Sequence, residues 1–217
     1  EMLYSAMEQF QVDVIIGQGA GAKSVTLPLQ PFTLIGATTK SGMISAPLRT
    51  RFGIIERLEF YTPSELTDII HTHAHHLDVR IETAAAHTLS QASRGTPRIA
   101  RKLLRRSRDF AQVHNKGAIT QEIATQTLQF LGIDSIGLSY VDRNILHHIH
   151  TTYNGGPVGV ETIAAIVSED KATIEDVYEP FLIRQGLLEK TPRGRRIPPA
   201  MRHQVAQMID GQKHITL

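Results

Sequence analysis

The stretch Phe32–Gly53, FTLIGATTKSGMISAPLRTRFG, decides how the rest of the chain is read. It starts as a short apolar strand, Phe32 to Ala37, that ends in two threonines, Thr38 and Thr39. A polar loop follows, and then a Pro-Leu-Arg-x-Arg-Phe-Gly turn holding Arg49 and Arg51 close together. Hydroxyls at a strand tip beside paired arginines suit phosphate chemistry. The guanidinium fork matches phosphate oxygens, and threonine can orient a water or a terminal phosphate. On residue types alone the same stretch serves equally well as a core strand and a surface loop.

Size and composition narrow the choices. The 217 residues can bury two or three small cores. Apolar content of 41% and charged content of 20% are ordinary for a globular protein. No apolar run approaches the roughly 18 residues that span a bilayer, so no membrane partner is expected. With no cysteine, disulfides and thiolate metal sites are excluded, which fits a reducing cytoplasm. The opening Glu-Met-Leu-Tyr has neither the basic nor the apolar region of a signal peptide and reads like the middle of a helix. Net charge is only +2, but it is clustered: seven Lys/Arg lie between Arg94 and Arg108, and four lie between Lys190 and Arg196. Clustered charge marks polyanion contact better than the net value, although a solvated helix face explains the first cluster equally well.

Residues 2–10 end a helix. Val12–Gly17 and Ser24–Leu29 form a β-hairpin across the glycine-rich GQGAGAK, with Val14, Ile15 and Ile16 more apolar than an exposed hairpin needs. Ile54–Phe60 reads as a further strand. Like Phe32–Ala37, it is expected to offer an unpaired edge. At Thr62 the period changes from 2 to 3.6. Thr62-Pro63-Ser64-Glu65 is a capping box with proline at the first helical position. Helices over 82–93, from Thr96-Pro97 to about His114, and over 120–131 with Gly132 as the stop, complete a compact helical domain. Ser139 caps a helix to about Tyr153, a second runs Val160–Ser168, and Thr173 caps a third that ends at Gly186. The segments 187–191 and 195–197 then flank the basic turn Pro192-Arg193-Gly194. Three helices and such a hairpin make a winged-helix plan. Its third helix is acidic (Glu175, Asp176, Glu179), so the wing is the better DNA contact.

Other motifs carry less. His71 and His75 share i,i+4 spacing, and His73, His76, His147, His148 and His150 lie nearby, but no third ligand is fixed and no metal site is expected. Gly-x-Ser-x-Gly is absent, and Gly17–Ser24 lacks the GxxxxGK[ST] frame of a P-loop.

Four segments together, LYSAMEQFQVDVIIGQGAGAKSV, PFTLIGATTKSGMISAPLRTRFGIIERLEFY, RGTPRIARKLLRRSRDFA and GGPVGVETIAAIVSEDKATIEDVYEPFLIRQGLLEKTPRGR, closely resemble the RuvB family of AAA+ ATPases, the bacterial Holliday-junction branch-migration motors. The resemblance implies an α/β plus all-α fold in three parts. These are the C-terminal part of a large AAA+ domain with a partner-binding hairpin (1–61), a helical lid (62–135) and a winged-helix DNA-binding domain (136–217). It implies a cytoplasmic homohexamer that drives double-stranded DNA at Holliday junctions in recombination and repair, using ATP and Mg²⁺. It also implies docking on RuvA through the hairpin around Val14–Ser24, and work alongside the resolvase RuvC. Thr38 and Thr39 match sensor 1, Arg51 the arginine finger acting on a neighbouring subunit's ATP, with Arg49 its companion, and Arg98 sensor 2. Glu8, Gln9, Phe10 and Tyr61 resemble positions lining the nucleotide. Lys190, Arg193 and Arg195 match the wing's DNA contacts. The family's Walker A loop and Walker B acids, which hold the phosphates and Mg²⁺, are expected upstream of Glu1, so the chain is expected to be a fragment that does not hydrolyse ATP alone. The rival reading is a non-catalytic winged-helix DNA adaptor, and the presence or absence of an upstream P-loop discriminates the two.

Overall fold

A computed structural model describes residues 2–17, 23–114 and 117–210, with two compact units that divide between Glu59 and Phe60.

In the first unit, α1 (Met2–Gln9) leads into the antiparallel hairpin β1 (Gln11–Ile16) and β2 (Lys23–Pro28), in register Val14↔Val25. Asp13 accepts from Thr26 Oγ1 at 2.5 Å across the strands, and Leu29 N donates to Phe10 O at 2.6 Å to close the base. The hairpin tip, 18–22, lies outside the described residues. Ile15 (73% exposed) and Ile16 (59%) point to opposite faces of a strand, yet both meet solvent. Phe32–Ala37 and Ile54–Phe60 are not strands. A strand must satisfy its N–H and C=O groups on a neighbour, and no described residue forms a ladder with either segment. Their apolar side chains lie open accordingly, Ile35 at 88% and Leu58 at 93%. Ala6 is the one buried hydrophobic residue described in this unit. The period-2 pattern recorded burial that these residues do not have here.

The second unit has two cores. α3 (Pro63–His76) starts at the expected capping box: Thr62 accepts from Glu65 N, and Glu65 accepts from Thr62 N at 2.8 Å. α4 (Thr83–Gln91), α5 (Pro97–His114) and α6 (Gln121–Phe130) complete a helical layer around Leu66, Ile70, Leu89, Leu103, Leu104 and Ile119, all fully buried. α5 is amphipathic: Ala100, Leu103, Leu104, Ser107 and Ala111 face inward, while Arg98, Arg101, Lys102 and Arg105 are exposed. Gly132 stops α6 at φ +65°, with Ile133 N donating to Leu128 O.

The second core lies among α7 (Tyr140–Thr151), α8 (Val160–Val167), a third helical segment and α11 (Arg202–Asp210), around Leu138, Ile145, Leu146, Ile174, Leu182 and Val205. The third segment begins earlier than expected. Asp170 precedes α9 (Lys171–Thr173), a π-helical turn spans Ile174–Tyr178, and α10 (Glu179–Arg184) follows. Thr173 is therefore inside the helix and not its cap. β3 (Glu189–Thr191) and β4 (Gly194–Arg196) form the wing, and Val158 adds a third, single-residue rung through two hydrogen bonds to Arg195, 2.7 and 2.8 Å. Gly194 sits at φ +132°, where a Cβ would lie 2.3 Å from Val158 O, so only glycine brings the wing this close.

Candidate functional site

The residues that the sequence groups around a nucleotide belong to different units. In the first unit Thr38 and Thr39 are exposed, and Thr38 Oγ1 accepts from Lys40 N at 3.0 Å. The short helix α2 (Ala46–Arg49) follows, with proline in its first turn. Arg49 caps the loop before it by donating to Ser41 O at 2.8 Å. Arg51 turns back: Nη1 donates to Pro47 O at 2.7 Å, Nε stands 2.7 Å from the Glu8 carboxylate, and the guanidinium lies 4.6 Å from the Tyr4 ring centroid. Glu8 and Arg51, 43 residues apart by number, are therefore brought together. The Glu8 side chain is half exposed, and pairs of this kind contribute about 0–1 kcal/mol. Arg51 is held by three contacts, from Pro47 O, Glu8 and the Tyr4 ring. Gln9 accepts from Gln11 Nε2, and Phe10, at φ +52°, meets the Phe32 ring edge-to-face at 5.9 Å.

In the second unit, Tyr61 is 46% exposed, and its N–H donates to Gly95 O at 3.0 Å. Arg98 stands exposed in the first turn of α5 with no ion pair among the described residues. Tyr61 and Arg98 thus flank one corner, Arg94-Gly95-Thr96-Pro97.

The wing differs from its sequence reading in one respect. The acids of the third helix do not simply oppose phosphate: they take up the wing's cations. Glu179, 1% exposed, binds the Arg195 guanidinium and also meets Lys190 Nζ at 2.7 Å. Glu175 adds a second pair to Arg195 at 2.8 Å. Burial works against the charge on Arg195, but its hydrogen bonds and Coulomb attraction to Glu179 and Glu175 prevail and hold its pKa above the ordinary value. Lys190 keeps half its side chain in solvent, and Arg193 at the tip is exposed with no acid partner among the described residues. Arg196 pairs with Glu189.

No group of three His, Asp or Glu able to hold a metal occurs among the described residues, and this includes the histidines of α3 and α7. The described residues thus supply no such set for Mg²⁺. For a nucleotide the chain offers hydroxyls (Thr38, Thr39) and cations (Arg51, Arg98), which fit phosphate. No helix of the described residues is long and apolar enough to cross a membrane.

Three family models match in succession: the Holliday junction DNA helicase RuvB P-loop domain over 1–58, the RuvB AAA lid domain over 61–134, and the RuvB C-terminal winged helix domain over 135–203. The Holliday junction branch migration complex subunit RuvB of Treponema denticola is 53% identical over 197 residues, which cover 91% of this chain and 57% of that protein. Among solved structures, the Thermotoga maritima RuvB Holliday junction branch migration motor is 45% identical with a TM-score of 0.77, covering 94% of this chain and 63% of that one. A point mutant of the same motor gives 46% and 0.78, with 64% of that chain covered. The chain thus spans a little under two thirds of the relatives it matches.

Proposed function

The chain belongs to the RuvB family, and from that premise we propose that it works in an ATP-hydrolysing hexameric ring that moves duplex DNA through Holliday junctions, in recombination and repair in the bacterial cytoplasm. In this reading Thr38 and Thr39 register the γ-phosphate of the subunit's own ATP, and Arg51 reaches a neighbour's. Arg98 on α5 contacts nucleotide from the lid, while Glu8, Gln9, Phe10 and Tyr61 border the site. ATP supplies the phosphoryl group, and Mg²⁺ would neutralise charge on its phosphates. Phosphoryl transfer responds mainly to positive charge placed on the transition state, so an arginine from a neighbour ties hydrolysis to ring assembly. The wing holds DNA phosphates through Arg193 with Lys190, Arg195 orients that hairpin from its seat on Glu179 and Glu175, and the β1–β2 hairpin's open Ile15 and Ile16 dock on RuvA.

The observation that carries this reading is the seating of Arg51. Its terminal Nη1 donates to Pro47 O and its Nε faces the half-exposed Glu8 carboxylate, two contacts that phosphate oxygens can replace. A non-catalytic DNA adaptor, the rival reading, would use Arg51 only to hold α1 to this turn. The test is branch migration of a synthetic four-way junction by this sequence joined to its P-loop, with RuvA and ATP. ATP-dependent strand separation supports the motor, and junction binding without it supports the adaptor.

A further inference from the structure

The turn between α4 and α5 carries Arg94, to which the sequence assigns no role of its own. Arg94 adopts φ +53°, a left-handed conformation that a non-glycine residue takes at a cost. From there its guanidinium leaves the lid and enters the winged-helix domain. Nε donates to Gly137 O at 2.7 Å, Nη2 binds the Asp142 carboxylate, and the group stacks 4.2 Å from the Phe181 ring centroid. Asp142 is 0% exposed and Arg94 15%. One oxygen of Asp142 takes all its donors, Arg94 together with Ser139 N and Ser139 Oγ, and the other has none. The tie is reciprocal: Arg184 of α10 donates to Arg94 O at 2.7 Å and stacks on Phe60 at 3.7 Å. Gly137 also sits so close to the lid that a Cβ would lie 2.7 Å from Ala92 O.

Domains joined by a short linker ordinarily move against each other unless the surface between them is large and apolar. Here a charge pair with one fully buried member joins the two, and breaking such a pair strands a buried carboxylate. Arg98 lies four residues further along the same segment. We propose that Arg94 is a positioning residue that locks the Arg98-bearing helix of the lid to the winged-helix domain, so that both rotate as one body. Its consequence rests on the motor reading: a phosphate-dependent shift felt at Arg98 is carried to the wing without loss in a hinge.

The chain has no cysteine, so single label pairs are easily placed. Gln126→Cys on α6 and Thr162→Cys on α8 are exposed sites in the lid and the winged-helix domain. Pulsed dipolar spectroscopy on the doubly spin-labelled 217-residue chain should give one narrow distance distribution. Arg94→Gln should broaden it about twofold, towards ordinary interdomain freedom, with helical content unchanged. Wild-type width in Arg94→Gln overturns the proposal. Should Arg94→Gln lose helical content, Arg94→Gln with Asp142→Asn removes the stranded charge. That folded double variant should still be broad, and a return to wild-type width would mean that Arg94 only neutralises Asp142, which also overturns the proposal. Neither ATP nor DNA is present, so a negative result removes the joint and leaves the motor reading to be judged by branch migration.

Discussion

Glu179 lies beneath the wing with its carboxylate against the guanidinium of Arg195, two charges 16 residues apart and almost completely withdrawn from water. The wing is therefore built on an ion pair, and its basic residues divide into those that hold the wing and those free to meet a ligand.

Arg195→Ala should destabilise the winged-helix domain by about 2–4 kcal/mol, because it leaves the buried Glu179 carboxylate with only the half-exposed Lys190 as a partner. Thermal unfolding measures this. A melting temperature equal to wild type would show that Lys190 alone satisfies Glu179.

Arg193→Ala should leave stability unchanged and lower the salt dependence of duplex binding by about 0.9 in log–log slope, one phosphate contact. Lys190→Ala should lower it less, since Lys190 is shared with Glu179 at 2.7 Å. An unchanged slope in both variants would place the DNA surface elsewhere, and the exposed Arg101, Lys102 and Arg105 of α5 would be the next surface to test.

Ile15→Glu with Ile16→Glu should abolish binding to RuvA while shifting stability by no more than about 0.5 kcal/mol per site, the usual range for exposed positions. Calorimetric titration with RuvA reads the first effect and denaturant unfolding the second. Retained affinity would separate the hairpin from the partner interface.

Acid should weaken the lid through His73. Burial first, and then the charges of Arg101, His76 and Arg105, lower its pKa from the ordinary 6.5. The unfolded chain therefore binds more protons once the pH drops below 6.5, and stability falls with pH until the folded pKa is passed. His73→Gln should show a shallower loss in denaturant midpoint over that range, and an identical slope would contradict this origin.

What the sequence reveals here is what local chemistry determines. The capping box at Thr62, the cap at Ser139, the stop at Gly132 and the antiparallel hairpin, whose strands lie one residue earlier than expected, are set within a few residues. Phe32–Ala37 and Ile54–Phe60 differ from their reading as strands because an apolar run, or alternation, reports that a face is meant to be covered, not that a partner strand is within reach. The third winged-helix segment starts at Lys171, before the Thr173 signal, because the helix continues through a π-turn that no local pattern announces. The Arg195–Glu179 and Arg94–Asp142 pairs were missed for a common reason: each joins residues 16 or more apart, and charge alone does not say which acid meets which base. One local clue existed at Arg94, which directly precedes a glycine at a helix-start signal.

The central claim is that Arg51 stabilises charge during ATP hydrolysis. It is tested most directly by steady-state ATP turnover and nucleotide binding of Arg51→Ala in the protein with its P-loop, in the presence of duplex DNA. The account predicts a fall in turnover of about 10³–10⁵-fold with ATP affinity preserved, and turnover at the wild-type rate would contradict it.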